Sequence, residues 1–350
     1  MAKKIRILSI DGGGIRGIIP GMLLVGLEEK LKAESGNSEA RIADYFDLVA
    51  GTSTGGILGC VVLYPGKDGR PKYTAREAVD VYLKKGGDIF DVPTWHKIKT
   101  AGGLLDEKYP SKGIEGALNQ YLGNDVMLSQ LLKPTVITSY NIQGAQPFFF
   151  KQHKAKTDPG AEFMVKDVAR ATSAAPTYFE CANTRSFDNQ SWPLIDGGVF
   201  VNNPSLCAYA EARTMTYEQL RPGENFNGTP DQKPISKDML VFSLGTASST
   251  KSYAYNKAKD WGVVEWLQPL IGIMMSGVSQ DVDYQMKQIF NATGSDKSYV
   301  RINPFIGQAD SAMDNATPEN LEALRKAGED NVERYDSLLT DLAKELIKSA

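Results

Sequence analysis

The N-terminal part of the chain repeats one pattern of apolar and polar positions. In each copy a short apolar run leads into a glycine-rich turn, and apolar residues at helical spacing follow. Short β-branched runs that end at glycine predict buried strands, and apolar residues three and four apart predict helices. The predicted strands span 5–10 and 46–50, and the predicted helices span 18–31 and 57–63. Two strand-turn-helix units predict an α/β fold with a mostly parallel central sheet flanked by helices.

The remaining pattern adds elements to the same layered fold. Residues 64–124 alternate Gly/Pro turns with helical patterns at 75–85 and 112–122, and they predict a helical excursion that covers the sheet. Apolar residues at helical spacing over about 318–348 predict C-terminal amphipathic helices. Further predicted elements are strands at 134–140, 147–150 and 239–244, a strand end at 194–195, and helices at 165–172 and 204–215.

Large apolar residues are concentrated between positions 261 and 275. Core packing is the commoner reason for such a run, and we expect it here. The alternatives are the lining of an acyl channel or contact with a bilayer surface. The residues concerned are Trp261, Trp266, Leu267, Leu270, Ile271, Met274 and Met275.

Composition narrows the class of protein. Of the 350 residues, 42% are hydrophobic and 23% are charged, which suits an ordinary globular protein. The formal net charge is −3, so no overall basic field indicates a nucleic-acid polymer as partner. Three cysteines at no metal-ligand spacing and two histidines predict no metal site. A single local lysine cluster, Lys151, Lys154 and Lys156, fits a solvated face.

The same features bear on localisation. The odd number of cysteines suits a reducing compartment. The first apolar run is too short for a signal sequence, and no stretch reaches the roughly 20 apolar residues of a membrane span. We therefore expect a cytoplasmic protein whose membrane association is peripheral.

Ser53 is the first candidate for chemistry. It lies in Gly-Thr-Ser-Thr-Gly at 51–55, which matches the G-x-S-x-G nucleophile elbow. The motif requires a strand before it and a helix after it, and the pattern predicts both. A serine at a helix N-terminus is close to a dipole that favours developing negative charge. The alternative is a plain glycine-rich turn with a solvated serine.

The glycine cluster at 11–17 is the second candidate. It follows the first predicted strand and opens a helix, so its amides can converge on an anion. Gly12, Gly14 and Gly17 also fit a dinucleotide-binding fingerprint, which needs an acidic residue at the end of the second strand. Here the second strand runs into the serine motif instead. We therefore favour an oxyanion hole built from the glycine amides.

A nucleophilic serine also needs a base, and the residues alone leave that base open. His96 lies in the helical excursion and His153 in a lysine-rich turn, and we expect surface or packing roles for both. Asp196 follows an apolar strand end and precedes two glycines, which allow close backbone approach. Taken by itself, Asp-Gly indicates an ordinary turn.

Four motifs in this order resemble the patatin-like phospholipase family. They are Asp-Gly-Gly-Gly-Ile-Arg-Gly at 11–17, Gly-Thr-Ser-Thr-Gly at 51–55, Ala-Thr-Ser-Ala-Ala-Pro-Thr-Tyr-Phe at 171–179 and Asp-Gly-Gly-Val-Phe-Val-Asn-Asn-Pro at 196–204. The stretch 266–283 is similar to the family's later helical segment. Four linked motifs are more specific than any one, and no motif position departs from the pattern.

The resemblance implies a three-layer architecture related to the α/β-hydrolases and a single catalytic domain over 1–350. It implies a Ser53–Asp196 dyad without a catalytic histidine, and an oxyanion hole at Gly12, Gly13 and Gly14 with Arg16 beside it. The implied activity is that of a lipid acyl hydrolase of the phospholipase A type, which cleaves phospholipid or other acyl esters through an acyl-enzyme and needs no cofactor.

Several alternatives stay open. The dyad does not fix the leaving group, so a general carboxylesterase or thioesterase fits as well. A storage or binding protein with incidental hydrolysis is the alternative from another class. Some patatin-like enzymes are bacterial effectors that cyclic oligonucleotides activate, which makes a cyclic-nucleotide activator and a homo-oligomer further candidates by analogy.

Overall fold

A computed structural model describes residues 3–91, 108–224, 231–247 and 253–350. Its strands are β1 Ile5–Ile10, β2 Leu48–Thr52, β3 Thr135–Asn141, β4 Gln146–Phe150, β5 Ala182–Arg185, β6 Ser191–Asp196, β7 Met239–Leu244 and β8 Tyr299–Ile302. Its longer helices are α1 Ile18–Ser35, α3 Thr54–Val62, α4 Ala75–Ile89, α5 Ser111–Leu122, α7 Val165–Thr172, α8 Ser205–Ala212, α11 Val263–Asn291, α12 Pro318–Arg334 and α13 Asp336–Lys348. The short helices are α2 Ile42–Tyr45, α6 Gln152–Ala155, α9 Tyr217–Leu220 and α10 Tyr255–Ala258.

The strands described form one mixed sheet in the hydrogen-bonded order β5-β6-β3-β2-β1-β7-β8, with β4 paired to β3. The central pairs β3-β2, β2-β1, β1-β7 and β7-β8 are parallel. The pairs that involve β4, β5 and β6 are antiparallel. The predicted α/β fold with a mostly parallel central sheet is confirmed.

Helices cover both faces of the sheet, and each face has its own apolar core. Leu8 and Ile10 of β1 pack with α1, α3, α4, α5 and the C-terminal helices on one face. Ile5 and Ile7 pack with α8 and the second half of α11 on the other. Alternate residues of a strand point to opposite faces, so a strand buried on both faces has a continuous apolar sequence. This burial explains why β1 is mainly apolar, and its charged residue Arg6 is paired with Asp47.

The predicted elements agree closely with the structure where apolar periodicity is strong. The strands at 5–10 and 239–244 and the helix at 165–172 have the predicted bounds, and α12 and α13 match the predicted C-terminal helices. In the helical excursion α4 and α5 are present, whereas 92–107 lies outside the described residues. The helix predicted at 204–215 is shorter and spans Ser205–Ala212, and Asn203 Oδ1 accepts a hydrogen bond from Ser205 N at its start.

The expectation of core packing for 261–275 is wrong for three of its largest residues. Trp266, Leu270 and Met274 lie in the first half of α11 with 38%, 46% and 47% of their surfaces exposed. Among the side chains described for this helix, those in the core lie in its second half and include Met286 and Phe290. The side chain of Leu267 lies outside the described residues. No helix in the described part of the chain has the length and apolar character needed to cross a membrane.

Candidate active site

The pairing of β3 brings Ser53 and Asp196 together. Along its first half β3 pairs with β2, and Thr52 lies opposite Thr138. One residue later β3 pairs with β6, and Asp196 lies opposite Ser139. The stretch of β3 that pairs with β4 overlaps both the stretch paired with β2 and the stretch paired with β6. β4 therefore lies on one edge of β3, and β2 and β6 share the opposite edge. Their final residues, Thr52 and Asp196, therefore meet end to end, and Ser53 follows Thr52 directly.

Ser53 occupies a strained turn between β2 and α3. Its backbone has φ 54° and ψ −122°, a region that residues with a side chain rarely adopt. The turn is tight because Gly51 and Gly55 lie where a Cβ would collide with the backbone of Gly55 and Ile10, respectively. Ser53 O accepts a hydrogen bond from Ile57 N at 3.0 Å, so the serine stands at the N-terminus of α3. This is the geometry of a nucleophile elbow.

Asp196 is buried, and its carboxyl lies beside the Ser53 side chain in the same cavity. Its Oδ1 accepts a hydrogen bond from Gly198 N at 2.7 Å. Burial raises the pKa of this carboxyl from 3.8 to about 6, and the neighbouring Ser53 side chain and the Gly198 N–H limit the rise. The carboxyl is therefore a stronger base than an exposed aspartate and remains mostly ionised near neutral pH.

The glycine loop after β1 lies against the serine. A Cβ on Gly12 would be 3.3 Å from Ser53 Cβ, and Gly13 and Gly14 line the same cavity as Ser53 and Asp196. Within the described residues, the amides of Gly13 and Gly14 have no hydrogen-bond acceptor. Gly14 has φ +60°, which favours glycine.

The carbonyls of this loop are held from outside the cavity. Gly12 O accepts hydrogen bonds from Thr246 Oγ1 at 2.6 Å and from Asn202 Nδ2 at 3.3 Å. Gly13 O accepts one from Arg16 Nε at 3.2 Å. In a trans peptide the N–H points away from the C=O, so these contacts also fix the directions of the Gly13 and Gly14 amides.

Gly12 and Arg16 contribute to this loop in different ways. Gly12 N donates to Asn202 O at 3.1 Å, so the Gly12 amide is already used and is not a free donor as the expected oxyanion hole requires. Gly12 instead allows close contact, because a Cβ there would lie 2.5 Å from Asn202 Oδ1. Arg16 is buried, and its Nη1 donates to Ala247 O at 2.9 Å. It therefore braces the loop, and burial lowers its pKa to about 10.

Arg301 is a site residue that the sequence does not reveal. Its Nη2 and Nη1 donate to the two carboxylate oxygens of Asp11 at 2.6 Å and 3.1 Å, and Nη1 also donates to Ser243 Oγ at 2.6 Å. Asp11 opens the glycine loop, so this buried ion pair joins the loop to β7 and β8. From the sequence, a buried aspartate after a strand predicts that a cationic side chain pairs with it, but the sequence does not identify that side chain.

The cavity beside Ser53 is mainly apolar. Its volume is about 170 Å³. The wall contributed by α4 and α5 includes Tyr82, Ile89 and Ile114, and Ile271 and Met274 of α11 lie across from it. The site thus combines a serine–aspartate pair, two free amides and an apolar compartment.

The two histidines do not join this arrangement. His153 Nε2 contacts Glu211 Oε1 at 2.9 Å near α6 and does not line the cavity. His96 lies outside the described residues. The described part of the chain contains no group of three or more His, Cys, Asp or Glu side chains that could hold a metal ion.

The chain is similar to known proteins over most of its length. Residues 8–208 match the family described as "Patatin-like phospholipase". "Patatin-like protein 1" of Arabidopsis thaliana is 37% identical over 341 residues, which cover 93% of this chain and 80% of that protein. "Probable inactive patatin-3-Kuras 1" of Solanum tuberosum is 32% identical over 363 residues, which cover 98% of this chain and 93% of that protein.

A solved structure is similar to this chain at low sequence identity. The crystal structure of VipD from Legionella pneumophila covers 97% of this chain and 67% of that chain, with a TM-score of 0.38 and 13% sequence identity. The name of the Solanum tuberosum relative describes that protein as "Probable inactive". Since the family match spans more than half of the chain, the chain belongs to the patatin-like phospholipase family.

Proposed function

We propose that this protein is a lipid acyl hydrolase in which Ser53 is the nucleophile and Asp196 the base. The observation that carries the proposal is the placement of the buried Asp196 carboxyl beside the Ser53 side chain in one cavity. Asp196 takes the Ser53 proton as Ser53 Oγ attacks the ester carbonyl, and passes it to the leaving alcohol as the acyl-enzyme forms. Asp196 then accepts a proton from the water that attacks the acyl-enzyme, and returns it to Ser53 Oγ as the bond to the acyl group breaks and the fatty acid leaves.

The amides of Gly13 and Gly14 are the proposed oxyanion donors. Their directions are fixed before substrate binds, because Thr246 and Arg16 hold the carbonyls of the preceding residues. Such preorganised donors need no rearrangement as charge develops, and each is worth roughly 3 kcal/mol of transition-state stabilisation. The N-terminus of α3 adds a favourable dipole at Ser53.

The proposed substrate class is a fatty-acyl ester of a membrane phospholipid. The apolar walls of the cavity suit an acyl chain, and its volume of about 170 Å³ accommodates part of a long one. Burial of each methylene is worth about 0.8 kcal/mol. A series of soluble esters should therefore gain about fourfold in kcat/KM per methylene until the cavity is filled.

We further propose that the first half of α11 contacts the lipid surface, with the protein otherwise cytoplasmic. Val263, Trp266, Leu270 and Met274 are exposed and recur every three or four residues, so they form one apolar stripe. Met274 also lines the cavity, so the stripe continues into the site. A lipid leaving a bilayer along this stripe would keep its chain in apolar surroundings.

Turnover measurements with wild type, Ser53→Ala and Asp196→Asn test the catalytic proposal. Each substitution should lower hydrolysis of phosphatidylcholine vesicles by about 10³-fold or more, since removal of a triad member has effects of this size. Ser53→Ala should also lose labelling by a fluorophosphonate. Labelling of Ser53→Ala at the wild-type level would exclude Ser53 as nucleophile.

The choice of substrate separates the remaining alternatives. A general carboxylesterase or thioesterase would prefer short soluble esters to phospholipid vesicles. A storage or binding protein would bind lipid without appreciable turnover. Regulation by a cyclic nucleotide and homo-oligomer formation remain predictions by analogy. Lipid mass spectrometry on native membranes, with wild type and Ser53→Ala and with or without cyclic oligonucleotides, addresses substrate and activation together.

A further inference from the structure

The motif at 171–179 has no role in the chemistry described so far, yet it contacts both members of the dyad. Thr172, the last residue of α7, is fully buried. Its Oγ1 accepts a hydrogen bond from the backbone N–H of Ser53 at 2.8 Å. The same hydroxyl donates to Thr138 O at 2.6 Å. Thr172 therefore ties the strained elbow to β3.

Two residues further on, the same segment holds Asp196. The backbone N–H of Asp196 donates to Ala174 O at 2.9 Å. Ala174 is itself fixed by the hydrogen bond from its N–H to Ala171 O at 3.2 Å. Thr172 and Ala174, two residues apart, thus each accept a hydrogen bond from the backbone N–H of one member of the dyad.

We propose that Thr172 and Ala174 form a clamp that sets the separation and orientation of Ser53 and Asp196, with Thr172 acting as a positioning residue for the reaction. The inference rests on the proposed roles of Ser53 and Asp196. It assigns the motif at 171–179 to catalytic geometry.

The sheet explains why such a clamp is needed. β2 and β6 meet end to end on one edge of β3, and each pairs with β3 and not with the other. The position of Ser53 relative to Asp196 therefore depends on contacts beyond strand pairing. Thr52 adds a second tie, because its Oγ1 donates to Val201 O at 2.8 Å and contacts Thr138 Oγ1 at 2.8 Å.

The backbone of Ser53 gives the hydroxyl of Thr172 particular weight. A positive φ at a residue with a side chain persists only where its surroundings hold it. If the hydroxyl is removed, the buried Ser53 N–H loses its acceptor and the turn can relax. A shift of about 1 Å in a reacting group can reduce the rate by about 100-fold.

Three variants test the clamp. Thr172→Val removes the hydroxyl with little change of shape, and Thr172→Ser keeps it. Thr135→Val is the matched control. Thr135 is also a buried threonine, and its Oγ1 likewise accepts a hydrogen bond from a backbone N–H, that of Gln152, at 3.2 Å. It removes the same kind of contact at the start of β3, away from the dyad.

The readout is kcat and KM for a soluble ester, with thermal melting as a check on folding. Thr172→Val should lower kcat by about tenfold to 100-fold with KM within about twofold, since the clamp orients reacting groups and does not touch the acyl chain. Thr172→Ser should recover kcat to within about threefold of wild type. Thr135→Val should keep kcat while its melting temperature falls.

Equal kcat in Thr172→Val and Thr135→Val would overturn the clamp, and so would a loss in Thr172→Ser as large as in Thr172→Val. If Thr172→Val does not fold, Thr172→Ala replaces it with the same expectations. Failure of the proposed function gives a different result, because Ser53→Ala and Asp196→Asn would then retain turnover. If those two variants are inactive and Thr172→Val is not, only the clamp is wrong.

Discussion

Ser53 and Asp196 line one cavity side by side although the strands that lead to them run in opposite directions. β2 is parallel to β3 and β6 is antiparallel to it, so the carboxyl ends of both strands reach the same point on β3. An arrangement with two parallel strands would place the two residues on neighbouring strands instead of end to end. The mixed sheet therefore places a buried carboxylate beside the serine in the same cavity.

The pKa of Asp196 predicts how activity depends on pH. Burial raises this pKa to about 6, and only the ionised carboxylate can accept the Ser53 proton. We expect kcat/KM to fall about tenfold per pH unit below about pH 6 and to level off above it. A pH profile measured with a soluble ester checks this expectation. A profile that stays flat down to about pH 4 would rule out a base with this pKa.

The same shift predicts that Asp196→Asn stabilises the fold at neutral and higher pH. The pKa of Asp196 is about 6 in the folded protein against an ordinary value of 3.8, so folding favours the protonated form. The contribution of this group to stability is most favourable below about pH 4 and declines as pH rises through about 6. At about pH 8 the ionised carboxylate costs about 3 kcal/mol, by the relation of about 1.4 kcal/mol per pKa unit.

Asp196→Asn removes that charge and keeps an acceptor for Gly198 N. Urea unfolding of wild type and Asp196→Asn at about pH 4 and about pH 8 measures the effect. The gain in the free energy of unfolding should appear at the higher pH and vanish at the lower. Equal differences at both pH values would show that the buried charge is not responsible.

The local sequence predicts those elements around the dyad that are buried along their whole length. β1 and β7 are fully buried, and their mainly apolar runs predict both strands to the residue. β5 and β8 have only four residues each and include polar or charged ones, so no apolar run indicates them. The first half of α11 is predicted wrongly, because a run of large apolar residues usually indicates a core and here several of them are exposed.

The site shows the same division between local and distant causes. Ser53 is recognisable because the elbow is a local motif. Asp196 requires the family resemblance, because the register of β3 decides which residue meets Ser53. Arg301 lies 290 residues from Asp11, and nothing local distinguishes it among 39 basic residues. The clamp at Thr172 depends on a backbone contact between distant segments, which no residue pattern specifies.

Arg301→Leu should destabilise the protein far more than loss of an exposed arginine. Both side chains of the Asp11–Arg301 pair are buried, so removal of the cation leaves a buried carboxylate unpaired. Such a change costs about 3–5 kcal/mol. Arg325→Leu is the control, because Arg325 pairs with Glu322 and Glu329 on the surface of α12, where pairs are worth about 1 kcal/mol or less. Urea unfolding compares the two variants, and equal losses would contradict the role given to the buried pair.

Trp266→Ser should weaken binding to phosphatidylcholine vesicles, because Trp266 lies on the exposed apolar stripe of α11 that leads to the cavity. Partial burial of a large apolar side chain is worth about 1.4 kcal/mol, so the vesicle partition coefficient should fall about tenfold. Tyr284→Ser is the matched control, since Tyr284 is another exposed aromatic on the same helix, about 27 Å from Trp266 at 1.5 Å per residue. Flotation of both variants, each shown by thermal melting to be folded, measures the difference. Equal partition of wild type and Trp266→Ser would mean that lipid reaches Ser53 without contact to this stripe.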